Sequence, residues 1–410
     1  ALLTSSSHTR RARAHRSMCE QIERMSGAMA SDMLELHTLR RALAEQAGLP
    51  TFYAYATRRA GQSDRFRAEM STFRELVAHH ITPLVAPIRA MQWERMGIAH
   101  PEPWDVLRLA PFGLPMLAER ALPLDETYLD ALRFIFTSPV EMFEAMRDSD
   151  TLVLRPAPAD RDVSVVEAPP AVFSADTVVS VYAEAIDRTF LLMFNVPEDL
   201  FVHRLFYETG GLLFDRATAM RHAMTPVLPT ERLARRVAAD AMAVLSRRSW
   251  GAFYGGMADY ARESEMTRWA LRLPVLAALD EMEEFLARAR VSNDVIFRHA
   301  WEEIAERYAL PGTRDDRPSL LPLDRLWQLA PAMWRAPLSG ILHALSMVTV
   351  LGTLPMGRHY QRLETCLTRL LNGTPGLDPI ERLEEAGFPS PFEEATVEKA
   401  AFSLAYALGL

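Results

Sequence analysis

Glu208 is the residue around which any chemistry in this chain has to be argued. It sits in the run Leu205-Phe206-Tyr207-Glu208-Thr209-Gly210-Gly211-Leu212-Leu213-Phe214. A helix that carries H-E-x-x-H holds a zinc ion between two imidazoles one turn apart, and its Glu is the general base for water. Here the Glu is present, while Tyr207 and Gly211 stand at the two histidine places. Taken alone, Glu208 reads first as an ordinary helix-surface acid. The rest of the chain has to decide.

Other groups could do chemistry in principle. His203 is one turn before Tyr207 and, with Glu208, offers a makeshift ligand set; His203, Glu208 and His222 form a second, relocated one. His299 with Glu302 and Glu303 has helical spacing, and reads as a solvated face before it reads as a metal site. His79 and His80 are adjacent, so on a helix they point to different sides and cannot chelate together. His222, His343 and His359 lack any spaced partner. Trp250, Phe253 and Tyr254 read as core packing, with Gly255-Gly256 ending their helix. Asp315-Asp316, between Pro311 and Pro318, read as a solvated loop. There is no G-x-S-x-G elbow, P-loop or dinucleotide fingerprint.

Composition narrows the class. The 410 residues are 49% apolar and 24% charged, enough for a sizeable core and unlike a disordered chain. A net charge of −8 argues against a dedicated nucleic-acid binder. Lys399 is the only lysine, which reads as a genomic bias toward arginine rather than a binding device. Two cysteines, Cys19 and Cys366, give no disulfide framework and no thiolate metal site, so a cytoplasmic location is expected. Ala1 to Arg16 is polar and basic without an apolar core, and reads as a frayed start rather than a secretory signal. The most apolar stretch, Leu338 to Met356, reads as a buried helix and not a membrane span.

The elements that must position Glu208 are mostly helices. Helical spacing covers 11–47, stopped by Gly48-Leu49-Pro50, then a helix opening near Phe52, then one from 63 to 96 bent near Pro83 and Pro87. Further helices are predicted at 125–136 and 139–147. Short β-branched or aromatic runs at Leu152-Val153-Leu154, 163–166, 178–182 and 190–194 predict a small sheet. Helices are predicted again at 198–224, 229–254, 263–289, 294–308, 323–334, 338–351, 359–371, 378–386 and 391–408. The chain reads as an N-terminal helical part, 1–150, and a part with the small sheet and then helices, 151–410, in one continuous body.

The order of these features resembles the oligoendopeptidase F and thimet-oligopeptidase superfamily of gluzincin zinc peptidases. The segments that carry the resemblance are Leu39–Tyr55, Phe73–Val77 with Ile81–Leu84, and the Gly97–Asp105 loop ending in Pro103-Trp104-Asp105. Phe190–Asn195 is similar to the sheet-edge strand before the family's zinc helix. Leu273-Pro274 with Asp280-Glu281, Trp327–Pro337 and Ser390–Glu393 are similar to later helices and the substrate loop. The likeness is collinear from about Arg10 to Leu408 and leaves an N-terminal helical portion of the family unmatched.

The resemblance implies a mostly α-helical oligopeptidase scaffold with a central channel and a small β-sheet. It places the first zinc His on Tyr207, the catalytic Glu on Glu208 and the second zinc His on Gly211. The third ligand, a Glu, falls on or beside Arg235-Arg236, and a guanidinium has no lone pair to offer a cation. The transition-state His falls near Ala332, and the Tyr residues near Gly340 and His343. With the whole set replaced, the resemblance implies a degenerate, non-catalytic member: no catalytic residue, no cofactor, no metal. Glu208 either pairs with Arg235 or Arg236 in the old metal site or those arginines lie on a solvated face. The expected function is a pseudopeptidase binding a peptide or protein partner, an active homologous peptidase among the candidates, with no nucleic acid and no membrane. Its cleft would use His203, Glu208, Arg236, Trp334 and His343. The alternatives are a metallopeptidase with zinc on relocated ligands, another enzyme in the same cleft, or a purely structural assembly subunit.

Overall fold

The Ser7 side chain accepts from the Arg10 N–H, and from this cap α1 runs His8–Gln46 in a computed structural model of the chain. Residues described by the structure are 7–106, 114–121, 123–135, 140–157, 177–183, 188–221, 231–290, 293–310, 327–354, 360–373 and 378–410. From His8 on, the polar start is helix rather than a frayed arm. Arg11 is buried with its Nη2 2.6 Å from Oδ1 of the equally buried Asp105, which fastens α1 to the tight turn Pro103–Asp105. A charge pair of this kind holds a segment because neither partner can be left buried alone. Gly48, at φ 67, takes the left-handed turn that stops α1.

Thr51 and Ser63 cap α2 (Phe52–Arg59) and α3 (Asp64–Leu76) by accepting from the N–H groups of Ala54 and Phe66. A π turn at Val77–Ile81 and a 3-10 turn at Thr82–Leu84 then lead round Pro83 into α4 (Val85–Arg95). Pro83 removes a helical donor and forces the bend. Pro87 falls in the first turn of α4, where no intrahelical donor is needed, and makes no bend of its own. His79 and His80 depart from the expectation of divergent side chains: their rings meet edge to face at 4.7 Å. The wider π turn separates successive side chains by a smaller angle than an α-turn.

After α5 (Leu124–Ile135) and α6 (Val140–Asp148) comes the sheet: β1 (Leu152–Pro156), β2 (Thr177–Ala183) and β3 (Arg188–Val196), in the order β1-β3-β2. β1 runs parallel to β3, with Leu152 opposite Leu191; β2 runs antiparallel, with Thr177 opposite Phe194. β3 is thus the middle strand of the described three, not a sheet edge. Leu191 and Met193 point to the core from it, the alternation of a strand. The expected strand at 163–166 lies outside the described residues.

β3 passes through Pro197 straight into α7 (Glu198–Ala219). Then follow α8 (Arg232–Ser246), α9 (Trp250–Tyr254), α10 (Ala258–Arg288) and α11 (Asp294–Arg307). The chain closes with α12 (Pro331–Trp334), α13 (Ser339–Thr353), α14 (Gln361–Asn372), α15 (Pro379–Glu385) and α16 (Glu394–Leu408). Trp250, Phe253 and Tyr254 are core, and Gly255, at φ 57, ends α9 as predicted. The apolar stretch from 338 is α13, buried from Ala344 to Thr353. It packs on α8, α10 and α16, and α7 packs on α8. Among the described residues no helix is long and apolar enough to cross a membrane.

Candidate functional site

Two adjacent glycines fix how α7 meets α8. A Cβ on Gly210 would stand 2.4 Å from the Ala238 carbonyl oxygen and 2.7 Å from Met242 Cβ, so the two backbones touch there. Glycine costs about 1 kcal/mol in a helix interior, and here close packing is the return. One residue on, the neighbour is different. A Cβ on Gly211 would lie 2.9 Å from Nη2 of Arg235. The guanidinium fills the space in which any side chain at 211 would begin.

Arg235 is held there by Asp215, one turn beyond Gly211 on α7. Its Nε donates to both carboxylate oxygens, at 2.9 and 3.0 Å. Desolvation works against the charge on Arg235, but the Asp215 bond and carboxylate outweigh it and raise its pKa. Glu208 pairs with neither Arg235 nor Arg236, and those arginines are half-buried rather than on a solvated face, so neither expected alternative holds. Glu208 is buried, and its carboxylate lies 2.7 Å from Nη2 of Arg204, one turn back on its own helix. The i, i+4 geometry makes that pair available without any tertiary fit.

Arg204, Tyr207 and His203 face a cavity of about 520 Å³. α8 adds Arg236, α10 adds Arg272 and α13 adds His343, while Val178 of β2, Val196 and Leu200 supply an apolar wall. The Tyr207 ring lies 6.1 Å from that of His203 and 6.3 Å from that of His343, with the Arg204 guanidinium 5.6 Å above it. Burial raises the Tyr207 pKa, and the Asp240 carboxylate adds to the effect. The phenol therefore stays protonated.

Two buried carboxylates stand behind the wall. Asp240 is wholly buried on α8, accepts from Ser346 Oγ at 2.5 Å and lies 3.7 Å from His343 Nε2. Burial lowers the His343 pKa against the pull of Asp240, with Arg272 and Arg236 lowering it further, so this imidazole is neutral at pH 7. Glu265 meets His203 Nδ1 through one oxygen and accepts from Arg247 Nε at 2.7 Å through the other. Burial pushes the Glu265 pKa up, but Arg247 and His203 outweigh it and hold the carboxyl at about 2.

His203, Tyr207, Arg236 and His343 are thus brought together, and Glu208 lies just behind them. Trp334 departs from its expected place in this cleft. Its indole N–H donates to the Gln328 carbonyl at 2.5 Å and its own carbonyl accepts from Arg40 at 3.4 Å, which ties it away from the cavity wall. Ala332 belongs to α12. His222, His359 and Asp315-Asp316 lie outside the described residues. His299 is 73% exposed, with Glu302 and Glu303 at 3.8 and 3.4 Å, a solvated face. Sequence reasoning missed Arg204, Asp215, Asp240 and Arg272. The pairs 204/208 and 211/215 follow from helical spacing; Arg272 meets Arg236 only through the packing of α10, and no sequence signal gives that.

A zinc ion on this helix needs three N, S or O donors. Gly211 has none, Arg235 puts a cation where the second would be, and Glu208 already pairs with Arg204. Among the described residues no three His, Cys, Asp or Glu side chains gather at metal-holding distance. The residues at these positions do not fit the ion.

No protein-family model matches the chain, and no curated protein is similar to it in sequence. Solved structures are similar. The whole chain superposes on a structure designated oligoendopeptidase F with a TM-score of 0.81, at 18% identity and over 70% of that chain. PZ peptidase A, solved with an inhibitor, gives 0.79 at 19% identity over 70% of its length. A structure designated oligoendopeptidase F from Bacillus anthracis strain Ames gives 0.78 at 17% over 68%. The fold of this chain is the oligoendopeptidase F fold, mostly helical with a small sheet.

Proposed function

We propose that the chain is a pseudopeptidase: a protein with the oligoendopeptidase F fold that binds a peptide or a partner protein in the cavity over Tyr207 without hydrolysing it. The observation that carries this reading is the Arg235 guanidinium against Gly211, fixed by Asp215. A lost ligand can be regained by one substitution; a space filled by a tethered cation repels a divalent ion as well as failing to bind it. The cavity itself persists, walled by β2, the end of β3, α7, α8, α10 and α13, and its volume suits a few residues of peptide. The partner is a peptide or a protein, an active homologous peptidase among the candidates, and the location is cytoplasmic.

A metallopeptidase on relocated ligands is the weaker reading. Glu265 engages His203 and Arg204 engages Glu208, so two of its three ligands are already committed. Metal analysis of the purified protein, with a peptide-cleavage assay in the presence and absence of chelator, separates the two. The expected result is no stoichiometric zinc and no chelator-sensitive cleavage. One zinc per chain with cleavage abolished by chelator would sink the proposal.

A further inference from the structure

The polar side chains lining the cavity over Tyr207 include three arginines, two histidines and no carboxylate. Arg204 has a partner in Glu208. Arg236 and Arg272 make no ion pair among the described residues, and as like charges lining one cavity they repel: desolvation lowers the Arg272 pKa, Asp240 and Tyr207 raise it in part, and Arg236 and Arg204 lower it further. Asp240 cannot neutralise both. It is a single carboxylate, sealed behind His343 and already accepting from Ser346. Among the arginines, Asp240 and Glu208, three guanidiniums face two carboxylates, which leaves one positive charge uncompensated.

From this we infer that Arg236 and Arg272 form a receptor for the carboxylate of a bound peptide. This rests on the peptide-binding reading above and states what the site selects. A guanidinium pair presents planar forks that match a carboxylate, and an anion between them relieves their mutual repulsion on top of the bonds it accepts. Val178, Val196 and Leu200 give the same cavity an apolar lining, so the carboxylate arrives with an apolar neighbour. A free C-terminus on an apolar last residue and an acidic side chain beside an apolar one both meet that description.

The test uses the full chain and three randomised N-acetylated octapeptide pools, enriched on the immobilised protein and quantified by mass spectrometry. One pool has free C-termini and no acidic residues, one has amidated C-termini and no acidic residues, and one is amidated with a single internal Glu. Expected is enrichment of the first or the third pool over the second; which of the two names the source of the carboxylate. Winning peptides then lose roughly tenfold to a hundredfold in affinity on Arg236→Gln or Arg272→Gln, as for a charge-assisted bond removed from a partly buried site. Thermal melts of both variants show that they remain folded. Equal enrichment of all three pools, or affinity unmoved by both substitutions, overturns the carboxylate receptor and leaves peptide binding standing. Enrichment of none overturns peptide binding and the receptor with it.

Discussion

Two glycines that are neighbours in sequence should answer the same substitution to very different extents. An alanine methyl at Gly210 would press on α8 backbone: 2.4 Å from the Ala238 carbonyl, 2.8 Å from Ala239 Cα and 2.7 Å from Met242 Cβ. Carbon atoms rest at about 3.5–4.0 Å, so α7 and α8 must part by roughly an ångström along a buried seam. Overpacking of this kind costs about 1–3 kcal/mol and more when backbone is the obstacle, against about 1 kcal/mol gained from helix propensity. A net loss of about 2 kcal/mol is expected for Gly210→Ala. At Gly211 the obstacle is the end of the Arg235 side chain at 2.9–3.0 Å, which can yield a few tenths of an ångström while keeping Asp215. Loss and gain there are both about 1 kcal/mol, so Gly211→Ala comes out near neutral. Urea unfolding followed by circular dichroism and tryptophan fluorescence reads the difference as separate midpoints at a common slope. Equal midpoints, or a Gly210→Ala protein more stable than the parent, would refute the account of the seam.

Other expectations follow from named contacts. Arg11→Ala leaves Asp105 buried without its partner and should cost about 3–5 kcal/mol, seen as a lower melting temperature; an unchanged melt would mean that the start of α1 is not anchored. Glu208→Gln removes only an ion pair whose Arg204 side is 47% exposed, so stability should change by less than about 1 kcal/mol. Burial raises Glu283 from 4.5 to about 8, with Asp280 adding to it, while its carboxyl accepts from the Leu338 N–H. The folded protein then holds a proton that the unfolded chain has lost, so this group lowers stability as pH rises from about 4.5 to 8. Glu283→Gln should raise the melting temperature at pH 8 and leave it nearly unchanged at pH 4; the reverse order would contradict that sign. Tyr207→His with Gly211→His should still bind no stoichiometric zinc by native mass spectrometry while Arg235 is present, since the cation stays in the site.

Much of this architecture is legible in the sequence because single elements obey local rules. The short aromatic and aliphatic run Phe190–Phe194, the stop at Gly48 and the bend at Pro83 each follow from residue types alone. The place of β3 in the middle of the sheet does not, because strand order depends on which neighbours pair with it. The start of α1 is hidden for a similar reason: Arg11 looks solvated until Asp105, 94 residues away, is brought beside it. At the site, the absence of histidines at 207 and 211 is plain in the sequence, and the reach of Arg204 to Glu208 is implied by spacing. That Arg235 occupies the room above Gly211 needs the distance between α7 and α8, which two glycines set but do not announce.

The tight seam at Gly210 has a mechanical corollary. Tyr207 and Arg204 on one side of it and Arg236 on the other travel as parts of one block, with no slack for the helices to slide or splay. Their mutual placement is settled before a guest arrives, so none of its affinity is spent on arranging them. Any opening and shutting of the cavity has to come from its remaining sides, the strand bearing Val178 and the helices bearing Arg272 and His343.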